Sequence, residues 1–394
     1  MSDTLDELKR HACAVVDRER DVLIALSRRI HARPELNFEE RHASACLADY
    51  LEGAGYAVER GACDLPTAFI ARIGRGAPQV AVLCEYDALP GLGHACGHNI
   101  IATAGAGAGA ALAQVVERSG GSVVVMGTPA EEGGGGKIIM ARRGAFAGID
   151  AAMMVHPAGL DLPGMNVLAV ATIAVEYHGK AAHASASPHR GINALDALIT
   201  AYTAIAQLRQ HIRETERIHG IITDGGQAPN IVPDRAAGLF YVRAATESRL
   251  EKLKARVLGC FRAGAEATGA KLHYEWRGEQ YSDMITNQPL AAAYGANLKR
   301  LGRTLHDVRN VPASISGSTD MGNVSKIVPS IHPMIAAGPT TVALHSTEFA
   351  ECAASDTGDR AVIDGAKTLA MTALDVLCRR ELLAEVKAAF ASAR

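Results

Sequence analysis

Gly91-Leu92-Gly93-His94-Ala95-Cys96-Gly97-His98-Asn99 follows an apolar run, Val80-Ala81-Val82-Leu83-Cys84, and a short acidic segment, Glu85-Tyr86-Asp87-Ala88-Leu89-Pro90. An apolar run of this length, bounded by a proline and glycines, reads as a buried strand ending in a loop. The Ala/Gly-rich stretch from Ile100 to Val116 then reads as a packed helix. The loop falls at the carboxyl end of a strand, which is where open α/β sheets bind ligands. Cys96 and His98, with only Gly97 between them, can bring a thiolate and an imidazole to one point, and both are preferred ligands of zinc-like ions. Two such side chains make half a metal site, so the remainder must come from elsewhere in the chain.

Working outward, apolar residues recur at helical spacing from Leu5 to Ile30 and stop before Pro34, and a second helix is expected over Glu39 to Leu51. Phe69 to Ile73 and Gln79 to Cys84 read as the first two strands. Gly121 to Gly127, Ala151 to Val155 and Ile335 to Leu344 are further apolar runs with helix-like segments between them. Strands alternating with helices predict a mostly parallel sheet with helices on both faces. The middle of the chain reads differently. A strand over Thr172 to Gly179, a helix over Asn193 to Ile212, strands over Ile218 to Thr223 and Gly238 to Arg243, a helix over Ser248 to Ala267 and a strand over Lys271 to Trp276 give the order βαββαβ of a ferredoxin-like unit. The expected division is therefore a catalytic α/β domain in two parts, residues 1–171 and 283–394, with an α+β domain inserted at 172–282. A long apolar-periodic helix over Arg360 to Leu377 closes the chain's regular structure.

At 394 residues the chain exceeds one ordinary core, and 48% hydrophobic with 21% charged residues is the composition of a soluble globular protein. A formal net charge of −2 and 4% aromatic residues give no electrostatic or stacking reason to expect a nucleic acid or an anionic membrane as partner. The charged N-terminal segment has no apolar core of the secretory kind, and no uninterrupted apolar run spans a bilayer, so a cytoplasmic location is expected. The eight cysteines have no paired short spacing and are expected as free thiols. Cys96 stands apart from the rest because a polar glycine loop gives it no packing role.

The other apolar strands also run into potential ligands. Val123 to Gly127 leads to Thr128-Pro129-Ala130-Glu131-Glu132 and the glycines 133–136; Met153-Met154-Val155 leads to His156; Val342-Ala343-Leu344 leads to His345. Cys, His, Glu-Glu, His and His thus gather at one sheet edge. That is more than a single tetrahedral structural site uses, and the mixture suits two catalytic metals sharing a bridging ligand, for which the thiolate is a natural bridge. In hydrolysis at such a centre one carboxylate can ligate while its neighbour takes a proton from the activated water and delivers it to the leaving amine. An isolated Glu-Glu pair is more often a solvated turn; the flanking buried strand and four glycines favour the site. Without a following Lys-Ser/Thr in P-loop spacing the glycines do not read as a phosphate cradle, and they serve better to turn the chain sharply beside the metals.

Asp87-Ala88-Leu89-Pro90, His94-Ala95-Cys96-Gly97-His98, Pro129-Ala130-Glu131-Glu132 and Gly179-Lys180-Ala181-Ala182-His183-Ala184 together resemble the aminoacylase and carboxypeptidase family of zinc-dependent exopeptidases. Within it the chain is similar to the amidohydrolases that include hippurate hydrolase and auxin-conjugate hydrolases. His98-Asn99 in place of His-Asp, and Gly317-Ser318-Thr319-Asp320-Met321-Gly322-Asn323 in place of a Glu-Asp pair, resemble the branch with p-aminobenzoyl-glutamate hydrolase and β-alanyl-lysine-type dipeptidases. The resemblance implies Cys96 as the bridging ligand, with His98, Glu132, His156 and His345 completing two sites for zinc or manganese, cobalt being a further option. It implies Glu131 as general base and acid and Asp87 as the group that orients a ligand. It also implies His183 as an oxyanion donor reaching into the active site of a partner subunit, hence a homodimer formed through the inserted domain. Asn230 and Arg243 match positions that contact a substrate carboxylate, although Arg243 is almost as well read as a structural salt-bridge residue. His94, His332 and Asp320 lie near the motifs with no role assigned.

The function expected is a binuclear metal-dependent amidohydrolase that cleaves N-acyl amino acids or dipeptide-like substrates through water activated at the metals. A hydrolytic deaminase of an aromatic amine, which would release ammonia without a carboxylic acid, and a non-catalytic binding protein on the same fold are the alternatives.

Overall fold

In the computed structural model, residues 4–308 and 317–393 are described. Twelve strands follow in chain order: β1 Ala57–Arg60, β2 Phe69–Arg75, β3 Gln79–Cys84, β4 Gly121–Gly127, β5 Ala151–Met153, β6 His156–Ala158, β7 Ala169–His178, β8 Arg217–Asp224, β9 Arg235–Ala244, β10 Lys271–Tyr281, β11 Ser330–Ile331 and β12 Met334–Ala336. The chain divides into two compact units, one centred on Val167–Asp283 and the other built from the chain on either side of it.

The larger unit holds a six-stranded sheet in the order β1-β2-β4-β3-β5-β11. β3 runs parallel to β4 and β5, and β5 parallel to β11, while β2 is antiparallel to β1 and β4. The central strands are buried on both faces, which is why their sequences are unbroken apolar runs rather than alternating ones. Successive residues serve two cores: Val80, Val82, Val123 and Val125 join one, Ala81, Leu83, Val124 and Met126 the other. The first core is completed by helices His98–Ala113 and Asp356–Cys378. The former is almost wholly buried, and its small face lets it lie close on the sheet, since a Cβ at Gly105 would stand 2.6 Å from Cys84 Sγ. A two-stranded parallel pair, β6 with β12, forms a separate sheet, and His156 is the first residue of β6.

Three expectations change, the first being that the helix over Arg360 to Leu377, observed as Asp356–Cys378, does not close the regular structure, since helix Arg380–Ser392 follows it. β1 had no clear signal in sequence, being four mostly exposed residues. The run Ile335 to Leu344 is a strand only at its start, in β12; Gly338-Pro339 breaks it, and Val342 to Leu344 lie in a turn ahead of helix Thr347–Ala353.

The smaller unit is a four-stranded sheet ordered β10-β7-β9-β8, antiparallel throughout, with helices Ala194–Leu208 and Glu247–Thr268 contributing to its core. This is the βαββαβ arrangement with its first and third strands central. Side chains alternate accordingly: Ile173, Val175, Tyr177, Phe240 and Val242 are buried, while Glu176, His178, Arg235 and Tyr241 lie on the face away from that core. No described helix is long and apolar enough to cross a membrane.

Candidate metal centre

β3 ends at Cys84, and the segment Glu85 to Asp87 leaves the sheet edge fully buried. The chain then loops through Cys96 and enters the helix at His98. Gly97 makes the junction possible: its φ is +75°, and a Cβ there would lie 2.5 Å from Pro157 Cγ. β4 ends beside it, and Thr128 ties the two loops together by donating its N–H and hydroxyl to the Cys84 carbonyl at 2.8 and 3.1 Å. After Thr128 the chain turns through Ala130, Glu131 and Glu132 into helix Gly136–Arg142. Gly136 is sterically obligatory at this turn, because a Cβ would sit 1.9 Å from the Pro129 carbonyl oxygen.

These loops, the start of β6 and the turn before helix Thr347–Ala353 bring the expected donors together. Cys96, His98 and His156 form one group with mutually close donor atoms; Cys96, Glu132 and His345 form a second, so the thiol is common to both. Cys96 Sγ lies 3.4 Å from His156 Nε2, His98 Nε2 lies 3.7 Å from Glu132 Oε1, and His345 Nε2 lies 3.4 Å from the same oxygen. Cys96, His98 and His156 are buried, Glu132 is half-buried and His345 is exposed. His345 is held from a left-handed backbone (φ +63°) by its N–H, which donates to the Ala95 carbonyl at 2.9 Å.

The outer atoms of these rings are fixed. Asp87 Oδ1 is 3.0 Å from His98 Nδ1, and its Oδ2 accepts the Glu132 backbone N–H at 2.9 Å, so one carboxylate orients both a ring and the loop behind a second donor. His156 Nδ1 is 2.8 Å from the Pro157 carbonyl, which leaves Nε2 with its lone pair facing Cys96.

The inner atoms are not satisfied by protein. His98 Nε2 and Glu132 Oε1 are buried and complete no hydrogen bond. Buried polar atoms of this kind are costly unless something binds them. Burial alone would depress the His98 imidazolium, yet Asp87 and Cys96 outweigh it and hold the proton well above the ordinary histidine range. The same anionic surroundings attract any cation placed at Nε2. Burial, then His98, pulls His156 down to about 4, so it is a neutral donor. Burial pushes the Cys96 thiol up, Glu132 adding to it, so the thiolate needs a cation to form. Orphaned donors, a mixed thiol, imidazole and carboxylate set, and second partners on the rings all fit divalent metal ions.

Glu131 points into the same cluster, with Oε2 4.0 Å from His98 Nε2. Burial, then the carboxylates of Glu85, Glu132 and Asp320, pushes its carboxyl well above the usual range. That is the condition of a carboxylate ready to accept and return a proton.

Sequence reasoning missed a buried ion group behind this site. Lys137 Nζ lies 2.5 Å from Glu85 Oε1 and 2.7 Å from Asp320 Oδ1, and all three side chains are fully buried. Lys137 also donates its backbone N–H to Asp320 Oδ2 at 2.9 Å, which fastens the start of helix Gly136–Arg142 to the segment before helix Met321–Ser325. Asp320 thereby acquires a structural place. The available signal was a charged residue at each end of otherwise apolar or glycine-rich runs. Glu85 also forms a donor group with His98 and Glu131. His332 is buried with its ring 5.4 Å from that of His156, and His94 is buried 6.0 Å from His31.

His183, Asn230 and Arg243 lie in the smaller unit. His183 is exposed; its Nδ1 accepts the backbone N–H of Ser185 and of Ala186 at 3.3 and 3.2 Å, which leaves Nε2 as the protonated atom. Asn230 adjoins it through its carbonyl, which accepts the Ala184 N–H at 3.0 Å. Arg243 is half-buried, donates to Ser318 Oγ at 2.9 Å and packs over Tyr241. The salt bridge considered for Arg243 is not formed with any described carboxylate.

An α/β sheet whose loops present Cys, His and Glu donors around an elevated carboxylate defines a metal-dependent hydrolase. The chain belongs to peptidase family M20/M25/M40, whose model matches residues 81–375. It is a hydrolase of peptide and amide bonds. It is 42% identical to the Xaa-Arg dipeptidase of Mus musculus over 98% of this chain and 93% of that protein. It is 37% identical to a p-aminobenzoyl-glutamate hydrolase component of Escherichia coli over 64% of this chain and 57% of that one. Among solved structures, an aminobenzoyl-glutamate utilization protein of Klebsiella pneumoniae shares the fold with a TM-score of 0.73 at 20% identity, covering 96% of this chain and 100% of that one.

Proposed function

We propose that the chain is a binuclear metallo-dipeptidase that cleaves dipeptides and related N-acyl amino acids, with a dipeptide carrying a basic C-terminal residue as the first substrate to expect. The full-length likeness to an Xaa-Arg dipeptidase supports that choice. In this reading Cys96, common to both donor groups, would hold two divalent ions together with His98, Glu132, His156 and His345, zinc or manganese being expected and cobalt a further option. When bound, the ions polarise the scissile carbonyl and acidify water.

The chain's own groups do the rest. Glu131 accepts the proton of the attacking water and returns it to the leaving amine. Asp87 keeps the His98 ring and the Glu132 loop in register. His183 of the partner subunit donates from Nε2 to the developing oxyanion, a role its satisfied Nδ1 leaves it free to play. Asn230 and Arg243 hold the substrate carboxylate. The protein works as a homodimer, and the expected location is the cytoplasm.

The observation that carries the reading is the elevated, buried Glu131 beside donor atoms that protein leaves unsatisfied. The test is a mass-spectrometric screen of manganese- or zinc-loaded protein against Xaa-Arg, Xaa-Lys and β-alanyl dipeptides, p-aminobenzoyl-glutamate and N-acyl amino acids, with Glu131→Gln alongside. Cleavage to amine and carboxylic acid is expected from the unmodified protein, with Glu131→Gln slower by roughly 10²- to 10⁴-fold at unchanged metal content. A metal-loaded Glu131→Gln protein with full activity refutes the assignment.

A further inference from the structure

We propose that Glu40 is a positioning residue for Glu131, holding in place the strained peptide from which the catalytic carboxylate projects. The inference rests on the reading of Glu131 as the proton-transfer group. Ala130, immediately before Glu131, has a left-handed backbone (φ +59°) and is fully buried. A residue with a Cβ adopts that conformation only when its surroundings over-determine it. Both peptide groups of Ala130 are held here. Its carbonyl accepts the N–H of Gly134 at 3.0 Å and of Gly135 at 2.8 Å. Its N–H, which no described backbone carbonyl serves, donates to Glu40 Oε1 at 2.9 Å.

Glu40 is suited to this and to little else. It is fully buried, and its other oxygen accepts the Thr67 hydroxyl at 2.8 Å, so both partners are donors and both carboxylate oxygens are used. Thr67 is itself anchored, because its carbonyl accepts the hydroxyl of Tyr86, which sits between Glu85 and Asp87, at 2.6 Å. Glu40 immediately precedes helix Arg41–Gly53, but its side chain does not cap the helix's free amides. Glu35 does that instead, accepting from His42 and Ala43 at 2.9–3.0 Å, which releases Glu40 to face the loop. The segment touches the loop again at Phe38, whose ring fills the space a Cβ on Gly134 would need. Burial, reinforced by Asp87, raises the Glu40 carboxyl to about 7, so an alcohol or hydrocarbon would be easier to bury there, yet it is the acceptor that the loop uses. Without an acceptor the Ala130 N–H is orphaned, the peptide relaxes toward an ordinary basin, and the direction of the Glu131 side chain turns with it.

Two conservative variants separate reach from charge. Glu40→Gln keeps the length and one acceptor; Glu40→Asp keeps the charge but is one methylene too short to span Thr67 and Ala130. With the substrate found in the screen, Glu40→Gln is expected within about fivefold of wild-type kcat and Glu40→Asp about 30-fold below it, with KM within about threefold and metal stoichiometry unchanged. Adding Ala130→Gly to Glu40→Asp is expected to recover about threefold or more of the lost kcat, because glycine holds the left-handed conformation unaided. Glu40→Asp equal to or better than Glu40→Gln overturns the inference, as does a loss that follows metal content or resides in KM. Glu131→Gln is measured in parallel: if it is inactive while all Glu40 variants are unaffected, only the positioning role falls, and if it is active the reading of Glu131 falls first.

Discussion

Lys137→Met removes the cation from a buried group of three. Its Nζ stands 2.5 Å from Glu85 and 2.7 Å from Asp320 with no exposure on any side chain. At an effective dielectric of about 20 each contact is worth roughly 6 kcal/mol before desolvation is charged against it. Most of that gross gain is cancelled by the cost of burying three charges, but removing one partner leaves the others uncompensated. The expected loss is therefore about 3–5 kcal/mol, or a Tm lowered by roughly 10 °C. Burial already pushes the Asp320 carboxyl up to about 6 even with Lys137 beside it. In the variant that carboxyl rises further, and an acid raised in the folded state contributes stability below its unfolded value near 4 that is lost as pH climbs through the folded one. The deficit of Lys137→Met should accordingly be smaller at pH 5 than at pH 8. The assay is equilibrium unfolding in urea at both pH values, with hydrogen exchange at the amides of helix Gly136–Arg142 to place the effect. Combining Lys137→Met with Glu85→Gln and Asp320→Asn should recover at least half the loss, since the introduced carboxamide oxygen can still accept the backbone N–H of residue 137. A loss below about 1 kcal/mol, or a triple variant weaker than the single one, refutes the reasoning.

Asp87→Asn is expected to keep the full metal stoichiometry while weakening affinity about 10- to 100-fold, read by chelator competition, because it loosens the His98 ring and not the ligand count. Glu131→Gln and His183→Gln proteins, each nearly inactive alone, should regain roughly a quarter of wild-type activity when unfolded and refolded together, as one site in each mixed dimer is then whole; no recovery contradicts donation across the dimer. Glu40 is raised from 4.5 to about 7, so its contribution to stability is present below pH 4.5 and lost through pH 7, on the order of 3 kcal/mol. Glu40→Gln, which does not titrate, should therefore gain stability relative to wild type between pH 5 and pH 8 in parallel melts, and a constant difference rules out the buried charge.

The strands that lead to the candidate donors were legible because their burial on both faces writes an unbroken apolar run, and Cys96 and His98 in the glycine loop after such a run offered half a site that the other strand ends completed. His345 was found for a different reason. Its residue type after an apolar run and the family resemblance marked it, although the strand expected to deliver it is a turn, and the ring is presented by a left-handed backbone fastened to Ala95. The inserted unit was readable from its alternation, as one face of each strand packs against helices and the other does not.

What the sequence by itself determined, then, is the architecture and which residues are candidate donors, because periodicity and residue chemistry are local properties of a chain. Only the tertiary structure decided which charges support the site. Glu40 meets Ala130 across 90 positions and Lys137 meets Asp320 across 183. A lone acid or base in sequence is read as solvated, and nothing local says otherwise. Burial makes each such charge find a partner, and the fold alone selects it.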